Sequence, residues 1–258
     1  MATGQESRSL TRAASSRIEL ASILAMFDQV TTWAHFTGDE YSRPGVSVTL
    51  SAALEDGVLP SDLPKSGEEI EIRARLVTTG RTLGFASAQC VSGDGTVLAS
   101  GTHHKYLPMD AVTKYWNFLF SRPLMPLALG YLNGQAYTAM TNDPDRGSAS
   151  PFSSIEDVLD CSVENDGSLR VVPERFCGNP MGSVHGGFTA MLGAEATGAP
   201  STCVSISASY LGAGKLGVGH EASSRTQTRP GGDDITSVVV YRDGKDDSPI
   251  FSGQYQCL

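Results

Sequence analysis

Residues 179–188 read NPMGSVHGGF, and this stretch predicts more about the fold and chemistry of the 258-residue chain than any other. Two glycines directly follow His185, at the start of a run that otherwise has the pattern of a helix. Because glycine is a poor helix former, we expect the backbone here to approach another group closely. The first turn of a helix presents unpaired N–H groups and the positive end of the helix dipole, which can stabilise an oxyanion developing on a carbonyl. His185 could orient a loop or polarise that carbonyl, and Asn179 could hold an attacking water.

The sequence on both sides of this motif predicts a helix accompanied by antiparallel strands. The helix begins near His185, and β-rich runs follow it at 202–210, 217–227, 235–241 and 250–257. Two further strand-like runs precede the motif, at 158–163 and 169–176.

The first half of the chain repeats this order of elements. A helical run covers 16–33, and β-rich runs separated by turn signals follow it at 45–54, 68–79, 83–91 and 96–107. The sequence PGVSV at 44–48 aligns with TCVSI at 202–206, and Ser100-Gly101 aligns with Ser252-Gly253. The repetition predicts an α+β protein built from two similar modules.

The two modules are predicted to span residues 1–140 and 141–258. A linker that contains Pro, Gly, Ser and Asp occupies 141–154, and the aromatic run YWNFLF at 115–120 is expected to dock on a core. The first module has only about 17 residues before its helix. It therefore either lacks the two strands that precede the second helix or borrows them from the connecting segment.

Composition and charge exclude several classes of protein. A hydrophobic content of 40% and a charged content of 18% are sufficient for sizeable cores. The formal charge of -9 argues against duplex nucleic acid or an anionic membrane as partner. No apolar run approaches the roughly 18 residues that a membrane helix requires.

The five cysteines are scattered and contain no C-x-x-C pair, which favours reduced, mostly buried thiols over a zinc ribbon. We therefore expect an intracellular, cytoplasmic protein. A mitochondrion or plastid is the alternative, because the first 17 residues faintly resemble a transit segment.

The motif resembles that of the hotdog-fold acyl-CoA thioesterases, which reads N-x-x-G-x-x-H-G-G and is followed by an Asp nine residues after the His. Asn179, Gly182, His185, Gly186 and Gly187 match it. The resemblance is to the branch that contains phenylacetyl-CoA thioesterases and the mammalian thioesterase-superfamily members, and it covers roughly 18–107 and 154–258. It implies two tandem hotdog folds, each a long central helix wrapped by an antiparallel sheet, packed as a pseudo-dimer.

The chain departs from the family pattern at the Asp. Nine residues after His185 stands Ala194, whereas in the first half Asp28 stands nine residues after Glu19, where ELA at 19–21 replaces the His-Gly-Gly. In the family, each site combines the Asn, His and Gly of one subunit with the Asp of the other. The resemblance therefore implies one complete site, made of Asn179, His185, Gly186 and Asp28, and one empty site.

Asp28 shares a helical stripe with the small residues Ala21, Ala25 and Thr32, a face suited to close approach by another element. Burial there is expected to raise the basicity of the carboxylate. A structural Asp that is merely capped or solvated is the alternative. The resemblance implies an acyl-CoA thioesterase in which the Gly186 N–H holds the oxyanion and Asp28 acts as nucleophile or general base. Ser47 would position the water together with Asn179.

The resemblance makes coenzyme A part of the substrate, and no separate cofactor or metal is expected. The backbone of Gly187 and the side chains of His103, His104 and Lys105 could meet its phosphates, with Arg81 or Lys65 nearby. Solvated charge at a strand edge is an equal alternative for these side chains. His35 and His220 are isolated in the sequence and do not predict a metal site.

Several questions stay open at the level of sequence. The same oxyanion site could serve another acyl-thioester reaction such as cyclisation, and acyl carrier protein could replace coenzyme A. An inactive acyl-binding module is the alternative from a different class. The chain could also form a homodimer, which would be a pseudo-tetramer of modules.

Overall fold

The computed structural model describes residues 8–9, 17–41, 43, 45–65, 67–107, 161–164, 166–179, 182–229, 234–243 and 249–258. These residues include two α-helices and eleven β-strands, so the α+β class predicted from the sequence is confirmed. The helices are α1 (Leu20–Gly38) and α2 (Gly186–Ala196). The strands are β1 (Arg8–Ser9), β2 (Val46–Leu54), β3 (Ile70–Thr79), β4 (Leu83–Ser92), β5 (Val97–Tyr106), β6 (Cys161–Val163), β7 (Leu169–Val171), β8 (Cys203–Tyr210), β9 (His220–Thr228), β10 (Asp234–Arg242) and β11 (Pro249–Cys257).

All eleven strands belong to one sheet, in the order β1-β6-β7-β9-β10-β11-β8-β2-β5-β4-β3. The first strand after each helix lies in the middle, where β2 and β8 pair antiparallel with Leu50 opposite Ala208. Helix α1 packs on β2 to β5, and α2 packs chiefly on β9 to β11. The two helices also pack against each other, so the start of α2 faces the middle of α1.

The eight strands that follow the helices begin and end within three residues of their predicted bounds. Helix α1 begins at Leu20 and continues to Gly38, beyond the predicted end at residue 33, because His35 and Phe36 extend its buried face. The strand predicted over 169–176 ends at Val171. Pro173, which has no N–H to donate to a ladder, follows two residues later.

Some predictions fall on parts of the chain outside the described residues. These are the start of the strand predicted over 158–163, the aromatic run at 115–120, the linker at 141–154 and the predicted boundary between residues 140 and 141.

None of the five cysteines forms a disulfide, and four of them are buried. Neither of the two described helices has the length and hydropathy needed to cross a membrane.

Candidate functional site

Helix α2 begins against the middle of α1, at a distance that only glycine permits. A Cβ on Gly187 would lie 2.8 Å from the Cα of Ala25, and a Cβ on Gly186 would lie 2.9 Å from Oδ2 of Asp28. Gly182, which precedes the helix, has a φ of +78°, a conformation that L side chains rarely adopt. The close backbone approach predicted from the glycine pair is therefore confirmed.

The carboxylate of Asp28 is 2% exposed and contacts four groups from three elements. Its Oδ2 accepts a hydrogen bond from the Gly187 N–H at 2.8 Å and lies 3.0 Å from Nδ1 of His185. Its Oδ1 accepts a hydrogen bond from the Ser47 hydroxyl at 3.3 Å and lies 3.6 Å from Nε2 of His103. The structure thus brings Asp28, His185 and Ser47 together, and their catalytic roles stay predictions.

Ser47 is held in this position by an irregularity of the sheet. The pairing of β2 with β5 shifts register between Ser47 and Thr49, as a β-bulge does. Bulges bend a strand and re-aim a side chain, and they are common near active sites. The shift places Ser47 opposite Lys105, with its hydroxyl toward α1.

Asp28 is held in its ionised form by its neighbours. Burial by itself raises the pKa of this carboxyl group, but the charge and hydrogen bond of His185 lower the pKa. Lys105 lowers it further, as does His103 once it is protonated at low pH. The net pKa of Asp28 lies well below its usual value, so the expectation that burial makes this carboxylate more basic is wrong. The sequence alone does not reveal the positive groups that gather around it.

His185 is fixed as a hydrogen-bond donor to Asp28. Burial lowers the pKa of His185, but the charge and hydrogen bond of Asp28 raise it by more. Since an ionised carboxylate only accepts hydrogen bonds, Nδ1 of His185 must carry a proton, and this N–H donates a hydrogen bond to Oδ2 of Asp28. The Gly187 N–H, 3.2 Å from the same Nδ1, then donates to Oδ2 alone. Nε2 lies 3.1 Å from Oε1 of Gln29, which suits a second donated proton and the imidazolium form.

His103 lies inside the site, although from the sequence it was a candidate for phosphate contact. It is 0% exposed, and its ring nitrogens lie 3.0 Å from the Ser47 hydroxyl and 2.6 Å from the Thr31 hydroxyl. Burial lowers the pKa of His103 to about 3 even though Asp28 opposes that effect, so the ring is neutral at pH 7. Strand alternation was the available signal, because residues 103 and 105 share the inner face of β5.

Lys105 is not the surface group that phosphate contact requires. It is 3% exposed, and its Nζ donates a hydrogen bond to the Thr32 hydroxyl at 2.7 Å. Burial lowers the pKa of Lys105, while Asp28 opposes the effect. His104 and Arg81, the other two predicted contacts, are exposed.

Asn179 closes the turn before α2. Its Nδ2 donates to the Ser183 hydroxyl at 2.7 Å, and its Oδ1 accepts from the Ser183 N–H at 3.2 Å. This amide is therefore engaged within its own turn, whereas the sequence suggested that it positions a water. Gly186 is the first residue of α2, so its N–H has no partner within the helix and remains a donor at the positive end of the dipole.

Tyr210, at the end of β8, is a member of the site that sequence reasoning missed. Its Cζ would lie 3.0 Å from a Cβ on Gly186. Its hydroxyl is buried and has no hydrogen-bond partner. Burial, and to a smaller extent the charge of Asp28, raise the pKa of Tyr210 well above 10. A tyrosine in a strand is too ordinary to be singled out from the sequence.

The start of α1 looks different. A cavity of about 440 Å³ lies beside it, with Glu19, Ser201, Thr202 and Leu258 among its lining residues. Ala194, which stands where the family pattern would have an Asp, is fully buried. Within the described part of the chain, no group of three or more His, Cys, Asp or Glu side chains could hold a metal ion.

Comparisons with known proteins agree with this architecture at the level of solved structures. No family model matches the chain, and a search of curated proteins gives no significant match. A protein assigned as an oleoyl thioesterase of Lactobacillus plantarum has a TM-score of 0.58 at 11% identity, over 98% of this chain and 94% of that one.

Two further structures are similar over nearly their whole length. The 12:0-ACP thioesterase of Umbellularia californica has a TM-score of 0.54 at 11% identity, over 98% of this chain and 95% of its own. The tesB protein of Mycobacterium avium subs paratuberculosis has a TM-score of 0.54 at 9% identity, over 97% and 90%. The resemblance to the hotdog-fold thioesterases is therefore confirmed as a likeness of fold.

Proposed function

We propose that this chain hydrolyses acyl thioesters, with acyl-CoA as substrate, at one site between α1 and the start of α2. The observation that carries the proposal is the contact of the buried Asp28 carboxylate with the Gly187 N–H and with His185. The names of the structural neighbours, one of them a thioesterase for 12:0-ACP, support the same class of reaction.

The proposal includes the arrangement of the chain as two tandem hotdog modules, 1–140 and 141–258, packed as a pseudo-dimer. Its support is that each helix is followed by four antiparallel strands, and that β2 and β8 join the two sets. Neither module would react alone, because Asp28 belongs to the first and His185 to the second.

In the proposed reaction, the carbonyl oxygen of the thioester accepts a hydrogen bond from the Gly186 N–H, while its carbon faces Asp28. In one route, water beside Ser47 attacks that carbon and gives a proton to Asp28, which passes the proton to the thiolate as the carbon–sulfur bond breaks. In the other route, Asp28 attacks first and the carbon–sulfur bond breaks to give an anhydride and a thiolate. Water then opens the anhydride and supplies the proton with which the thiolate leaves as a free thiol. The second product is the free carboxylic acid. No metal or separate cofactor is needed, and Arg81 and His104 are proposed to contact the phosphates of coenzyme A.

Asp28 can act as the nucleophile or as the general base in this reaction. A single turnover in water labelled with oxygen-18 tests this point. Direct attack transfers label to the Asp28 carboxylate when water opens the anhydride at the enzyme's carbonyl. A general base leaves that carboxylate unlabelled.

The function itself is tested with the purified protein and a panel of short, long and aromatic acyl-CoA thioesters, together with an acyl-ACP. We expect release of one free thiol and one free acid per substrate, measured with a thiol reagent and by mass spectrometry. Asp28→Asn, purified in parallel, should release neither, which excludes a contaminating thioesterase. Thiol release without free acid would indicate cyclisation. Binding without turnover across the panel would contradict hydrolysis and favour an acyl-binding module.

A further inference from the structure

The start of α2 offers the N–H of Gly186 as a backbone donor for an oxyanion. Oxyanion sites combine preorganised hydrogen-bond donors aimed at the developing charge. The Gly187 N–H already donates to Oδ2 of Asp28 at 2.8 Å, and the amide of Asn179 is bonded to Ser183. The N–H of Gly186 remains as a donor at this helix end, and a neighbouring element can supply a second one.

Tyr210 lies at the place where such a donor is required. A Cβ on Gly186 would lie 3.0 Å from Cζ of Tyr210 and 2.9 Å from Oδ2 of Asp28. The phenol carbon and the carboxylate oxygen are therefore no more than about 6 Å apart, on the same side of Gly186. Because the Cα–Cβ direction of a helical residue tilts toward the helix N-terminus, this is also the side toward which the free N–H points.

The hydroxyl group of Tyr210 is chemically ready to donate. It is buried without a hydrogen-bond partner, a state that costs free energy and is rare in folded proteins. Burial and the charge of Asp28 raise its pKa, so the phenol keeps its proton at neutral pH. The ring itself is held edge-on to Phe251, with centroids 5.5 Å apart.

We propose that the Tyr210 hydroxyl is the second hydrogen-bond donor to the carbonyl oxygen of the thioester, which makes Tyr210 a catalytic residue. This inference rests on the proposed hydrolysis and identifies a group that it uses. The hydroxyl gains its partner only when substrate is bound, and the hydrogen bond strengthens as negative charge develops on that oxygen.

The test is Tyr210→Phe, which keeps the ring and removes only the hydroxyl. We expect kcat to fall by about 100-fold with little change in KM, because a donor to the developing oxyanion acts in the transition state. The urea midpoint of unfolding should be unchanged or higher, since the variant removes a buried hydroxyl that has no partner.

Tyr255→Phe is the matched control. The Tyr255 hydroxyl is also buried but donates to the carbonyl oxygen of Ala190 at 2.8 Å, so its loss should lower the midpoint and leave kcat unchanged. If Tyr210→Phe retains wild-type kcat, or loses stability as Tyr255→Phe does, the inference is wrong and Tyr210 is a packing residue. If the wild type hydrolyses no thioester, both the proposed function and this inference are wrong. If the wild type is active and only the Tyr210→Phe result differs from expectation, the inference alone is wrong.

Discussion

The two helices begin differently, although they follow one another as repeats in the sequence. At the start of α2, two glycines let the backbone approach α1 closely. The buried carboxylate of Asp28 accepts a hydrogen bond from the Gly187 N–H there and contacts the His185 ring. At the start of α1, Glu19-Leu20-Ala21 contains no glycine, and the position of the missing carboxylate is the buried Ala194. The difference teaches that a carboxylate can be buried in this fold only where donors and cations already surround it.

The strands that end each half differ in the same way. His103 of β5 and Tyr255 of β11 both stand two residues after a glycine and are both fully buried. His103 contacts Ser47 and lies near Asp28, whereas Tyr255 bonds the backbone of α2 through Ala190. One half of the chain uses this position for an electrostatic site, and the other uses it for packing.

The largest effect is expected from placing a carboxylate at the end that lacks one. Ala194→Asp would bury a charge with neither a histidine nor a glycine pair opposite it, and we expect a loss of about 3 to 5 kcal/mol in the free energy of unfolding. Urea denaturation measures the loss. Ala194→Asn is the control, because asparagine is nearly the same size as aspartate but carries no charge. Equal losses of stability in the two variants would mean that volume and not charge causes the effect, and would contradict the electrostatic difference between the two helix starts.

The next effect compares the activity of variants at the two residues that directly precede the helices, His185 before α2 and Glu19 before α1. His185→Gln removes the imidazole that hydrogen-bonds Asp28, and we expect kcat/KM for a thioester to fall by about 100-fold. Glu19→Gln, at the equivalent place in the first half, should stay within about twofold of wild type. Steady-state kinetics on both variants decides the point, and similar losses in the two would mean that both helix ends carry chemistry.

A smaller effect on stability should follow from Gly187→Ala. The added methyl group meets the backbone of Ala25, so the helices must separate, at a cost of about 1 to 3 kcal/mol. Gly80→Ala is the control, because a Cβ there makes only an ordinary contact with the Leu83 carbonyl oxygen, at 3.5 Å. Thermal and urea unfolding of both variants measure the difference. A Gly187→Ala protein as stable as the control would contradict the close approach.

The last effect concerns pH. The pKa of His103 is about 3 in the folded protein and about 6.5 in the unfolded chain. Between these two pH values the unfolded chain therefore binds a proton at this residue and the folded protein does not. The free energy of unfolding should therefore fall as pH drops from 6.5 toward 3, by at most about 1.4 kcal/mol per pH unit from this group. The charged and titratable groups that face His103 are Asp28, Lys105, His35 and His185.

His103→Asn should flatten this acid slope, whereas His104→Asn, on the exposed face of the same strand, should leave it unchanged. The measurement is a series of urea titrations between pH 7 and pH 4.5. Equal slopes in the wild type and His103→Asn would mean that His103 is not held neutral by burial.

Much of the architecture could be predicted from local patterns. Alternation and turn residues predicted both bounds of eight strands to within three residues, and the Gly186-Gly187 pair correctly indicated a close backbone approach. Predictions failed where distant residues decide the outcome. The lowered pKa of Asp28 depends on His185 and Lys105, which lie 157 and 77 positions away in the sequence. The burial of Lys105 depends on the pairing of β5 with β2, and the inward direction of Ser47 on a bulge in that pairing.

The sequence by itself determined the order of elements, the glycine positions at the start of α2 and the unequal distribution of His and Asp between the two halves, because these depend on local propensity and spacing. Only the tertiary structure decided which side chains surround Asp28, which of them carry charge, and that the hydroxyl of Tyr210 lies beside Gly186 without a partner. The physical reason is that pKa values and hydrogen bonds depend on distances of a few ångströms between residues far apart in the chain. Those distances are set by the packing of the two helices on one sheet.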